Sequence, residues 1–116
     1  MANQCIKPWN IEYIHQQGQE NLLEHWLDTL AYEQFKSVAK ELKLLQAYGN
    51  QLALPHSRAL GKKLFELRER RYGYRIYYSF SKDHIIMLYN AGDKSTQKSD
   101  IKLARERMKI SSLDKV

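Results

Sequence analysis

One cysteine, two prolines and five glycines are all that 116 residues contain of the types that staple, stiffen or loosen a chain. Cys5 alone cannot close an internal disulfide, and no cysteine–histidine spacing resembles a zinc site. A disulfide scaffold and a structural metal are thereby excluded, a reducing compartment is expected, and no pattern asks for a cofactor. No stretch approaches the roughly 20 apolar residues that span a bilayer, and Met1 to Trp9 hold no apolar run of signal-peptide length. The expectation is a cytoplasmic protein with no membrane partner. Linkers and internal repeats are missing too, and 43% apolar residues suffice for one modest core, so residues 1–116 read as a single domain. Acidic residues run short: 13 Asp and Glu face 19 Lys and Arg, a formal charge of +6 with a sequence pI near 9.4. Such a field attracts nucleic acid or an acidic protein.

What is present is periodic. Trp9, Ile11 and Tyr13 alternate with other residues at the spacing of a half-buried strand. From Glu20 the period lengthens: Leu22, Leu23, Trp26, Leu27 and Leu30 form one helical stripe, and Phe35, Val38, Ala39, Leu42 and Leu45 a second. A helical hairpin broken near Thr29 to Tyr32 follows, with Trp26 and Phe35 read as core. Gly49-Asn50 suits a helix end, and Pro55 lies just beyond it. After a loop come three strand-like runs, Lys63 to Arg68, Tyr74 to Phe80 and His84 to Tyr89, whose separators are short enough for a meander. Ser99 or Asp100 can cap a last helix carrying Ile101, Ala104 and Met108. The fold class is α+β: an antiparallel sheet, an N-terminal helical hairpin and a short C-terminal helix.

Helices on one face of such a sheet leave the other free, and period two decides what that free face displays. Phe65, Leu67, Tyr74, Ile76, Tyr78 and Phe80 belong to the core side. Glu66, Arg68, Arg75, Tyr77 and Ser79 point the other way.

The stretch Pro55 to Arg68, ending Leu64-Phe65-Glu66-Leu67-Arg68, and the strand Gly73-Tyr74-Arg75-Ile76-Tyr77-Tyr78 resemble the centre of HigB-like toxins of the RelE/ParE superfamily. Lys94-Ser95-Thr96-Gln97-Lys98, leading to Ala104 and Arg107, resembles the segment that follows in those proteins. The resemblance implies a RelE-like, microbial-ribonuclease-like sheet and ribosome-dependent cleavage of messenger RNA. It also implies partners: the ribosome, the mRNA and a cognate helix-turn-helix antitoxin through which the pair can assemble on operator DNA. Some relatives carry a catalytic His or Tyr near the C-terminus; Ser99 to Lys115 here contains neither.

Cleaving RNA through its own 2′-hydroxyl requires removing that proton, stabilising a dianionic phosphorane and protonating the departing 5′-oxygen, and none of these needs a metal. The planar guanidinium fork suits the middle task, which nominates Arg68 and Arg75 as catalytic, with Lys94 assisting; otherwise these are solvated side chains. Tyr77 either stacks on a nucleotide or merely covers apolar surface, and Gln97 is a candidate for a base or sugar. Glu66 is read as an ion-pair partner of Arg68 rather than a base. Lys98, Lys102, Arg105 and Lys109 form a helical stripe that, with Lys62, Lys63, Arg70 and Arg71, can meet RNA phosphates. His56 is read as an exposed loop residue, His15, His25 and His84 as structural or solvated, and Cys5 as inert. The rival function is that of ParE-type relatives, which inhibit DNA gyrase by protein contact; fold alone does not separate the two.

Overall fold

A computed structural model describes residues 8–14 and 22–113. Cys5, His15 and the proposed helix start at Glu20 lie outside the described residues. The order is β1 (Asn10–Tyr13), α1 (Leu22–Asp28), α2 (Tyr32–Tyr48), β2 (Ser57–Gly61), β3 (Leu64–Glu69), β4 (Tyr74–Ser81), β5 (Ile85–Asp93) and α3 (Gln97–Leu113). Single 3₁₀ turns at Gly49–Gln51 and Lys94–Thr96 follow α2 and precede α3.

The five strands form one sheet in the order β1-β5-β4-β3-β2. Strands β2 to β5 are the expected antiparallel meander, and β1 adds at the far edge in parallel to β5, with Asn10 opposite Ile85. β2 is a strand the sequence reading treated as loop: it is a short edge strand, largely exposed, in which only Ser57 is buried. Between Thr29 and Ala31 the helices break as expected, and Gln34 Oε1 accepts the Ala31 N–H at 3.0 Å to start α2.

Leu23 and Leu27 of α1 and Val38 and Leu45 of α2 pack onto Leu67, Ile76, Tyr78, Ile86 and Leu88. Each such side chain contributes about 1.5–3 kcal/mol by leaving water. Trp26 meets Tyr74 edge-on at 5.3 Å, but Phe35, read as core, is 42% exposed because it lies on the outward side of α2. Gly49 has φ +53 and stands where any Cβ would fall 1.9 Å from Trp9 Nε1, so glycine here both ends α2 and admits the indole. His84 stacks on the other side of that indole, 4.0 Å between ring centroids.

The opposite face is not free. α3, at 17 residues longer than expected, lies over β4 and β5 and buries Leu64, Tyr77, Tyr89 and Ala104. Arg107 ties it down by donating to the Tyr89 carbonyl at 2.6 Å, and Arg105 donates to the carbonyls of Leu60 (2.9 Å) and Gly61 (3.3 Å). Arg105 is therefore a clamp, and the stripe of four cations on α3 expected to meet RNA phosphates is interrupted.

Candidate functional site

Only part of the second face escapes α3, and that part carries the charge. On β3 the side chains pointing this way are Leu64, Glu66 and Arg68; the register sets Arg75 opposite Arg68 and Tyr77 opposite Glu66. Asn90 and Gly92 of β5 continue the rows beyond Tyr77 and Arg75. At Gly92 a Cβ would stand 2.0 Å from Asp100 Oδ2 and 2.6 Å from Thr96 Oγ1. The start of α3 thus rests on bare backbone, and this close approach brings Gln97 to the site. Asp93, rather than Ser99 or Asp100, caps the turn at Lys94–Thr96: its carboxylate accepts the Ser95 N–H at 2.8 Å. Those hydrogen bonds from Ser95 hold Asp93 below the usual carboxylate range.

Two arginines directly opposite on neighbouring strands repel each other. Glu66, completely buried between them, offsets this: its Oε2 lies 3.3 Å from Arg75 Nε, and its Oε1 3.9 Å from Arg68 Nε. Gln97 Nε2 donates to Oε2 at 2.7 Å and fixes the carboxylate. Taking a carboxylate out of water is costly without such partners, so Glu66 belongs with the arginines as one unit. The side chains of Arg68 and Arg75 remain 29% and 12% exposed.

The unit is incompletely satisfied. Glu66 Oε1, Arg68 Nε, Arg75 Nε, Arg75 Nη1 and Tyr77 Oη are buried without a good hydrogen bond, five of the six such atoms among the described residues. Buried polar atoms in folded proteins are paired in about nine cases of ten or more. The strain of this buried polar unit is held in place by the sheet, while the exposed parts of the two guanidinium groups are the donors that an anion with several oxygens can meet.

Tyr77 corrects the sequence reading. It is fully buried beneath α3 and forms the floor of the site, so it has no face to stack on a nucleotide. Burial raises its pKa, and the neighbouring carboxylates of Glu66 and Asp100 raise it further, so it stays a neutral phenol. Gln97, nominated for a base or sugar, is turned inward to Glu66. Lys94 is exposed in the turn after β5, at the same end as Arg75, and Lys98 is exposed one turn of helix later. Lys62 and Lys63 occupy the tight β2–β3 turn with φ of 51° and 70°. They are about 16–20 Å along the chain from Arg68, counting 3.3 Å per residue, and do not join the arginines.

Arg58 was missed. It lies opposite Glu66 on β2, shares its face and is exposed, which adds a third arginine on the open side. The signal was present in the alternation of Ser57-Arg58-Ala59-Leu60. The histidines stay out of the site among the described residues: His56 corrects the reading of a free loop residue by pairing through Nδ1 with Glu41 Oε1 at 2.9 Å. No group of three or more potential metal ligands occurs among the described residues.

Comparison with known proteins bears on most of the chain. The family described as Phage derived protein Gp49-like (DUF891) matches residues 25–109. No curated protein matches the sequence. Among solved structures, the toxin–antitoxin complex RelBE2 of Mycobacterium tuberculosis contains a chain that superposes with a TM-score of 0.53 at 14% identity, covering 80% of this chain and 98% of that one. The isolated RelE toxin of E. coli gives 0.54 at 10% identity, covering 81% and 96%. At these identities the likeness is one of fold.

Proposed function

The chain belongs to the Gp49-like family of phage-derived proteins and has the fold of RelE toxins, and on that premise we propose that it is the toxin of a toxin–antitoxin pair, a metal-independent endoribonuclease acting on messenger RNA engaged by the ribosome. The observation that carries the proposal is the pair of arginines, Arg68 and Arg75, set opposite one another on adjacent strands, held by the buried Glu66 carboxylate and still 29% and 12% exposed on the open part of the sheet. In the reaction the ribose 2′-oxygen loses its proton and attacks phosphorus, the bond to the 5′-oxygen breaks, and that oxygen takes up a proton. Arg68 and Arg75 stabilise the charge that builds on the phosphoryl oxygens, where removing one well-placed donor costs about 10²–10³ in rate. Lys94 supplies a further positive charge from the turn beside Arg75. Glu66 is a positioning residue: buried below both arginines, it holds them and is out of reach of a 2′-hydroxyl.

No histidine stands at the site among the described residues, and Tyr77 is a buried phenol. So spare an acid–base apparatus suits an enzyme whose substrate is oriented for it, since positioning can supply much of a rate enhancement. That favours mRNA held on the ribosome over free RNA. An antitoxin is the expected restraint, as one solved neighbour is part of a toxin–antitoxin complex, and the resemblance of the central strands to HigB-like toxins makes a helix-turn-helix protein the expected type.

The experiment is to map mRNA ends after brief induction in bacteria, comparing the wild type with the Arg68→Ala, Arg75→Lys double variant. Cuts inside translated frames that vanish in the variant are expected. Intact transcripts together with a DNA-damage response would replace the nuclease with a gyrase inhibitor.

A further inference from the structure

The outer side of α2 carries apolar surface that nothing in the described chain covers. Tyr32 is 72% and Phe35 42% exposed, and with Ala39 and Leu44 they line a shallow groove of about 630 Å³. Its remaining wall is basic: Lys36, Lys40 and Lys43. Tyr32 to Lys43 recur at intervals of three and four, so the stripe follows one side of three helical turns, about 17 Å long at 1.5 Å per residue. Glu33 stands 3.6 Å from Lys36 Nζ, Lys36 lies 5.2 Å from the centre of the Tyr32 ring, and on their other flank Lys36 and Lys40 border a hollow shared with Glu41, Glu69, Arg70 and Arg71, so the acidic groups lie to one side of the stripe and not along it.

We propose that this stripe is the docking surface for an acidic amphipathic helix of the antitoxin, an inference that rests on the toxin reading above. Charge selects the occupant. A second copy of this chain, itself at +6, would set three lysines against three lysines, whereas a helix with apolar residues flanked by Glu or Asp satisfies both the ring pair and the lysines. Position then defines the consequence. α2 packs on the side of the sheet that holds Leu67, and the Glu66–Arg68–Arg75 unit faces the other way. The bound antitoxin leaves the arginines uncovered and restrains the toxin by its bulk, not by plugging the site.

The test uses the product of the gene beside this one, purified and titrated against the toxin. Phe35→Ala and the double reversal Lys36→Glu, Lys40→Glu should each stay folded by circular dichroism, since these side chains are on the surface. The reversal should weaken binding about thirtyfold or more, the size of an interface hot spot, and Phe35→Ala about tenfold. The Arg68→Ala, Arg75→Lys variant should bind within about twofold of the wild type, and the wild-type complex should still bind a short RNA oligonucleotide. Full loss of antitoxin binding in the arginine variant with none in the lysine variant would overturn the surface and leave the toxin reading standing. A toxin that cuts mRNA yet binds no neighbouring product would overturn the docking together with the pairing, and the nuclease would survive. Lysine-dependent sedimentation with vesicles of anionic lipid, or self-association abolished by Phe35→Ala, would assign the stripe to a membrane or to a second copy and overturn the proposal as well.

Discussion

On the side of the sheet covered by α1 and α2, β3, β4 and β5 present Leu67, Ile76, Tyr78, Ile86 and Leu88, all at most 2% exposed and apolar apart from a tyrosine hydroxyl bonded to Ser57. On the side under α3 the same strands present Glu66, Arg68, Arg75, Tyr77 and Asn90, of which every one keeps a buried polar atom unpaired. The two sides share backbone, length and register. One is therefore filled to be stable, and the other holds charge at a cost the first must offset, which is how a small domain can retain the charged surface proposed for RNA.

The largest effect that can break this contrast comes from exchanging roles. Leu67→Ala on the packed side should lose about 2–5 kcal/mol, as a buried leucine truncation does, and abolish activity only by unfolding. Arg75→Lys, on the opposite face of the strand that carries Ile76, keeps a cation over Glu66 but loses the planar fork. It should remain as stable as the wild type in urea while mRNA cleavage falls about a hundredfold or more. Equal destabilisation by both changes would mean that the arginine side is also structural.

Next in size is alkaline pH. Burial pushes the Tyr78 hydroxyl up to about 12, with the Ser57 hydrogen bond opposing. Because the folded pKa lies above the ordinary value near 10, this term is fully present below pH 10 and is lost as the pH rises toward 12. A shift of that size corresponds to about 2–3 kcal/mol. Tyrosinate absorbance should thus appear late and coincide with unfolding; a smooth titration of every tyrosine in the folded protein would refute the packing described for Tyr78.

Much of this contrast was legible beforehand. The change from period 3.6 to period two exposed the hairpin, the meander and the pairing of Arg68 with Arg75 on one face, because these depend on residues adjacent in sequence. What escaped depends on contacts between distant ones. Ile101, Ala104 and Met108 gave α3 an apolar side but did not say which surface it covers, so Tyr77 was left in the open. Gly92 carried that information, yet its need shows only once Asp100 is brought against it. Phe35 fitted the apolar stripe of α2, and only the direction of packing turns it outward.

Gly92 also sharpens the comparison at intermediate size. Its backbone is ordinary, so Gly92→Ala is a purely steric change that pushes Asp100 and Thr96 away. Overpacking of this kind costs about 1–3 kcal/mol, and the displaced helix start carries Gln97 off Glu66. Adding Asp100→Ala should return part of the stability, since the tighter of the two clashes is gone and Thr96, freed from its hydrogen bond to that carboxylate, can turn aside. Calorimetric melting of the single and double variants reads the rescue directly; unchanged melting of Gly92→Ala would show that α3 does not rest on this strand.

The smallest expected effect concerns Arg58, which decides how far the active side extends toward β2. It is exposed, so Arg58→Ala should change stability by no more than about 0.5 kcal/mol. If the RNA backbone leaves the Arg68–Arg75 pair across the open side, its next phosphate meets Arg58, and one charge-assisted hydrogen bond is worth about 1.5 kcal/mol, or about tenfold in affinity. The change should act on KM and leave kcat nearly untouched, because the reacting phosphate is held elsewhere. It should also lower the dependence of binding on salt by about one counterion, whereas Lys62→Ala and Lys63→Ala at the far turn should leave that slope as it was. Measuring RNA binding at several salt concentrations for these variants separates the paths: a reduced slope for the lysine variants alone would carry the RNA over the β2–β3 turn instead, and confine the active side to the two central arginines.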